Sequence, residues 1–172
     1  MSAGGTRRRL LDAAAAVVRR EGPAALTLEA VAAEAGVSKG GLLYHFATKD
    51  DLIEALIEDW LSGFEAEVAE LAADGGWARA YARVAGARSA EQRAMDVALV
   101  VAVASGPRAL EKARSEYPAW QKRVVSDASD PVDATVVRLA ADGLWIADLL
   151  GLAPPTGRLR RRVLARLDEL AG

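Results

Sequence analysis

Apolar residues recur three and four positions apart along nearly the whole chain, with almost no strict alternation, so the pattern predicts helices and no convincing strand. The first helix spans Thr6 to Glu21 and stops at Gly22-Pro23. From Thr27 to Lys49 the sequence TLEAVAAEAGVSKGGLLYHFATK spells two short helices about a tight turn. Thr27 caps the first, Val31 and Ala35 face a core, and Gly36 ends it by accepting left-handed backbone. Val37 plugs the corner and Ser38 caps the second helix. There Leu42 and Phe46, four residues apart, form a buried stripe that leaves Lys39, Gly40, Gly41, Leu43, Tyr44 and His45 on or beside the open face. A small, cationic, hydrogen-bonding stripe of this kind suits a DNA major groove.

About nine helices are expected in all. The fourth begins at Thr48, where Thr48 and Asp51 form a capping box, and continues through Leu52, Leu56, Trp60, Phe64 and Leu71 to Gly75-Gly76. The fifth runs from Trp77 to Ala85, and the sixth from Ser89 to Ala104, ending before Gly106-Pro107. The seventh follows Pro107 and must kink or break near Pro118, which lacks the backbone donor. Asp130-Pro131 starts the eighth, which extends to Leu150, and the ninth occupies Thr156 to Ala171.

Composition agrees with an all-α chain. Of the 172 residues, 52% are hydrophobic, enough for real cores, and Ala, Leu, Arg and Glu dominate over β-branched and aromatic types other than Val. The net charge of −2 is unevenly spread. Residues 1–49 hold seven cations against four carboxylates, a net +3, which leaves −5 on the remainder. A basic N-terminal segment on an acidic body is the asymmetry expected when one end meets phosphates. Cysteine is absent, which excludes disulfides and thiolate metal sites and agrees with a reducing cytoplasm. The most apolar stretch, Val97 to Ala104, falls far short of the roughly 20 residues that span a bilayer. The expectation is a cytoplasmic protein with no membrane partner.

The string GVSKGGLLYHFATKDDL, preceded by TRRRLLDAAAAVVRREG and the link PAALT, resembles the N-terminal DNA-binding domain of the TetR family of transcriptional regulators over roughly the first third of the chain. The resemblance implies a helix-turn-helix domain at residues 1–50 and an effector-binding and dimerisation domain at residues 51–172. It also implies a homodimeric, ligand-responsive regulator, by family tendency a repressor, on a double-stranded operator. Carried over position by position, Thr27, Ser38, Lys39, Gly41, Leu43, Tyr44, His45 and Lys49 match DNA-touching positions, and Arg7 and Arg8 match the basic residues that open the first helix. Gly40 and Gly41 let the backbone approach the groove. Two departures stand out: Gly41 replaces a common Thr or Ala, and Leu43 stands where many relatives carry Tyr, shifting the tyrosine to Tyr44.

Beyond residue 50, bulky walls with sparse polar groups suggest an effector pocket from Trp60, Trp77, Tyr81, Gln92, Met95, Asp96, Tyr117, Trp120, Arg138, Asp142 and Trp145. Plain core for the aromatics and solvated ion pairs for the charges compete with that assignment. The eighth helix is apolar on two sides and the ninth is strongly amphipathic, so pairing both with their copies places Val132, Val136, Leu144, Ala147, Leu159, Val163, Leu167 and Leu170 at a four-helix dimer interface. No cofactor, metal or catalytic residue is expected, since the lone histidine, His45, sits on the DNA-reading helix. A second function class stays open: a helical ligand-sequestering or adaptor protein that has lost DNA binding.

Overall fold

The structure is a computed structural model that describes residues 3–105 and 107–172. Among the described residues it is all-helical, with nine α-helices and one short 3₁₀ turn: α1 (Ala3–Glu21), the turn Pro23–Ala25, α2 (Leu28–Glu34), α3 (Lys39–Leu43), α4 (Lys49–Ala72), α5 (Trp77–Gly86), α6 (Ala90–Ser105), α7 (Pro107–Ser126), α8 (Pro131–Leu150) and α9 (Gly157–Leu170). The expected break at Gly106 lies outside the described residues. No described helix is long and apolar enough to cross a membrane.

Packing divides the chain into two compact units. The first comprises residues 1–60 and 90–113, and the second residues 61–89 and 114–172, so α4 and α7 each contribute to both. In the first unit Leu10, Ala14 and Val18 of α1 meet Leu26, Val31, Leu42, Phe46 and Leu52 in one core, with Met95 of α6 packed against it. Removing such side chains from water contributes about 1.5–3 kcal/mol each. In the second unit α5 packs against α8 and α9. Its core holds Phe64, Tyr81 and Trp120 in mutual ring contact, with centroids 5.1 to 6.2 Å apart.

Of the kink or break expected near Pro118, the break does not occur: α7 is one helix from Pro107 to Ser126 with Pro118 inside it. A proline removes one donor from the ladder, and the bonds on either side hold the remaining turns. The link from α1 to α2 is itself wound: Pro23–Ala25 forms a 3₁₀ turn, with the Leu26 amide donating to the Pro23 carbonyl at 3.2 Å. It swings the chain so that Leu26 enters the core.

Candidate nucleic-acid interface

Local hydrogen bonds set the geometry of α2 and α3. Thr27 Oγ1 accepts from the Ala30 amide at 3.1 Å, and Ser38 Oγ accepts from the Gly41 amide at 3.1 Å, so each hydroxyl caps its helix. Between them Gly36 adopts φ +63°, and the Val37 amide donates to the Ala32 carbonyl at 3.0 Å, which closes the turn. The capping box at the start of α4 is reciprocal: the Thr48 amide donates to Asp51 Oδ2 at 3.0 Å and the Asp51 amide to Thr48 Oγ1 at 3.1 Å. The Thr48 side chain first, then Arg108 and the Thr48 amide, hold the Asp51 carboxyl below its ordinary range.

On this frame Leu42 and Phe46 are buried while the opposite side of α3 faces water. Tyr44 is 82% exposed and Leu43 38%, values unusual for large apolar side chains with a core nearby. Gly40 is exposed, and a side chain at Gly41 would meet Ser38 Oγ at 3.3 Å, so the cap itself favours a residue without Cβ there. Lys39 is exposed and pairs with Glu29 at 2.7 Å, a contact that ties α3 to α2 and lowers the Glu29 carboxyl through that hydrogen bond.

The remaining DNA candidates divide. Arg7 lies over the Phe46 ring at 5.5 Å, and Lys49 is exposed at the start of α4. Arg8 is engaged twice, to Asp12 at 2.7 Å and Asp59 at 2.6 Å, and the Asp12 hydrogen bond raises its guanidinium further above the usual range. A phosphate would have to compete with both carboxylates. His45 is half-buried, stacks edge-on against Tyr44 at 5.2 Å, and lines a 220 Å³ cleft shared with Asp51, Glu54 and Glu58. Arg7 and Lys112 line the same cleft and offset its carboxylates, and His45 stands within it as a support for Tyr44.

The pocket candidates fall into both units. In the first, Trp60 Nε1 donates to the buried Asp96 carboxylate at 2.7 Å, and Gln92 is half-buried. Met95 lines a 420 Å³ cavity that none of the other candidates reaches. In the second, Tyr81 Oη donates to Asp142 Oδ1 at 2.6 Å, and Arg138 reaches Asp142 Oδ2 at 2.7 Å. Gln121 accepts from Arg138 and donates to Thr135 at 2.8 Å, a link that spacing alone did not expose because Gln121 sits 17 residues from Arg138. Burial pushes the Tyr81 and Tyr117 hydroxyls up, Tyr117 to about 12, and pushes the Asp142 carboxyl above its usual range despite both hydrogen bonds. Tyr81 and Trp120 are core residues, Trp77 is half-buried under Arg123 at 4.9 Å, and Trp145 is half-buried on α8.

Of the dimer candidates, Val132 (69%), Val136 and Leu159 (59%) stand exposed, with Leu139 and Leu150 beside them in the sequence of α8. Leu144, Ala147, Val163 and Leu170 are half-buried. Leu167, in contrast, is only 5% exposed in the single chain, on a helix that packs against α5. Among the described residues no group of three or more His, Cys, Asp or Glu side chains could hold a metal.

Comparison with known proteins is consistent along the whole chain. Residues 10–56 match the family model "Bacterial regulatory proteins, tetR family", and residues 75–172 match "Tetracyclin repressor-like, C-terminal domain". A TetR-family member from Streptomyces coelicolor is 32% identical, with a TM-score of 0.72 over 94% of this chain and 97% of that one. The multidrug binding protein EbrR complexed with ethidium is 30% identical, with a TM-score of 0.72 over 96% and 99%. The same protein complexed with proflavin is 31% identical, with a TM-score of 0.67 over 94% and 99%.

Proposed function

This chain belongs to the TetR family of bacterial regulatory proteins, and on that footing we propose that it is a cytoplasmic, homodimeric repressor whose hold on a near-palindromic operator is loosened by a small molecule. The observation that carries the reading is the open face of α3, where Tyr44 and Leu43 are exposed beside Lys39 while Leu42 and Phe46 anchor the helix from behind. Residues 1–50 read DNA, with Lys39 and Tyr44 nearest the base edges and Thr27, Ser38, Lys49 and Arg7 at phosphates. Two copies of α3 enter successive major grooves about 34–36 Å apart. Residues 51–172 bind the effector and pair the protomers through the exposed apolar positions of α8 and α9.

The effector is apolar and aromatic. EbrR is known in complexes with ethidium, proflavin and malachite green, all planar or propeller-shaped aromatic cations. Tyr117, in ring contact with Trp120 at 5.2 Å, supplies an aromatic face suited to that chemistry, while Asp142 beside it is already paired with Arg138. Effector binding shifts α4, with a coupling of about 1–3 kcal/mol, or roughly 5- to 150-fold in operator affinity.

The test is selection of binding sites from random duplex DNA at about 0.15 M salt, a near-physiological ionic strength. An enriched inverted repeat is expected. No enrichment from a confirmed dimer would replace the repressor reading with that of a ligand-sequestering protein. Equal operator affinity with and without ethidium would remove the proposed effector class.

A further inference from the structure

The first unit contains a cavity of 420 Å³ that the regulatory reading above does not use. Its walls are Val18 of α1, Leu26 after the 3₁₀ turn, Ile53 and Leu56 of α4, and Met95 and Leu99 of α6. Small-molecule sites are commonly about 300–1,000 Å³, and a cavity of about 150 Å³ already holds a benzene ring. These six side chains carry no hydrogen-bonding group, so the apolar part of the wall offers water few partners.

Charge at the open side narrows the ligand. The charged lining residues there are Lys49, Asp50 and Arg108. Arg108 is committed to Asp51, at 3.0 Å, and to Glu54. Lys49 and Asp50 are adjacent, exposed and opposite in sign, so together they give the lining no net charge. A ligand bearing a full charge would leave bulk water for a site without a net counter-charge. A hydroxyl, in contrast, can accept from the Lys49 ammonium or donate to the Asp50 carboxylate.

We infer that this cavity is a binding site for an uncharged, mainly apolar small molecule bearing one hydroxyl, such as an aliphatic or aryl alcohol. It is separate from the Tyr81–Arg138–Asp142 cluster, and the inference stands whether or not that cluster takes an effector. Occupancy fills space among α1, α4 and α6, the elements that frame the core under α2 and α3. Leu26 in its wall directly precedes Thr27, the cap of α2, so the ligand sits one residue from the start of the DNA-reading motif.

The sequence provides a direct test, because its only isoleucines are Ile53 in the cavity wall, Ile57 one turn along α4, and Ile146 on α8 in the second unit. In the full-length protein labelled at isoleucine methyls, titration with 1-octanol should shift the Ile53 resonance saturably below about 1 mM and leave Ile146 in place. Octanoate and octylammonium should need at least tenfold higher concentrations. Leu99→Trp, which fills the cavity from α6, should weaken the octanol response at least tenfold. The exposed variant Lys49→Gln, which leaves the core untouched, should weaken it several-fold. An Ile53 signal that stays fixed to the solubility limit, equal response to the charged analogues, or shifts confined to Ile146 would each overturn the inference.

Discussion

Tyr44 and Lys39 stand five residues apart at the two ends of α3, yet they prepare for DNA in opposite ways. Tyr44 presents its ring to solvent with little to lose on binding, whereas Lys39 already holds Glu29. Tyr44→Ala should therefore leave thermal stability within about 0.5 kcal/mol, as for surface changes generally, while operator affinity measured by fluorescence anisotropy falls at least tenfold. Unchanged affinity would deny Tyr44 a contact. Glu29→Gln releases Lys39, so DNA affinity should rise a few-fold, although it removes a favourable negative charge from the first turn of α2.

Titration distinguishes two carboxylates of the second unit. Burial raises Asp142, so its neutral form is favoured by folding. That contribution is complete below the ordinary aspartate value of about 3.9 and is lost as pH rises through the higher folded value. Glu65 is lowered, first by its hydrogen bond from Arg123 and then by Trp120, so its contribution is present above the ordinary glutamate value and lost as pH falls through the folded one. Melting curves from about pH 4 to 7 should show Asp142→Asn gaining on the parent protein as pH rises. Glu65→Gln should lose ground over the same range, by no more than about 1 kcal/mol. Parallel curves would contradict both assignments.

At the scale of elements, α3 is five residues long, far too short to be stable by itself. It exists because Ser38 caps it, Gly36 turns the chain into it, and Leu42 with Phe46 bolts it to the core. Helix α7 illustrates the reverse, a long helix that tolerates Pro118 at an exposed position. Pro118→Ala should stabilise the protein by about 2 kcal/mol, the helix-interior penalty of about 3 less about 1 for the freer unfolded chain. The midpoint of denaturant unfolding measures it, and an unmoved midpoint would mean that the turns around Pro118 already relieve the clash.

For the whole molecule, the exposed apolar positions of α8 and α9 are the feature a monomer does not explain. Val136→Glu should give a folded monomer in sedimentation equilibrium that binds operator more weakly than the dimer, because two half-sites are no longer engaged together. Leu167→Ala should behave differently. Its side chain is already buried inside one chain, so the change should cost about 2–5 kcal/mol of protomer stability. A monomer-only effect from Leu167→Ala, with stability intact, would return that residue to the interface.

The helix-turn-helix was legible because every signal in it is local: caps at Thr27 and Ser38, a left-handed Gly36, and a four-residue interval between Leu42 and Phe46 all act within a turn of their own position. Periodicity likewise located each long helix to within a few residues, since a helical face is written in the spacing of its apolar side chains. Side-chain commitments across the fold were settled only by packing. The sequence places Asp12 one turn along from Arg8, but only the fold adds Asp59, 51 positions away, as a second carboxylate on the same guanidinium. Leu159 and Leu167 share one stripe on α9, and only the placement of α5 makes one a surface residue and the other core. The cavity beside Met95 was illegible for the same reason: empty space belongs to no residue, and its walls come from five elements that meet only in three dimensions. Local backbone chemistry thus determined the motif, while long-range contacts decided which of its charges and apolar faces remain available for a partner.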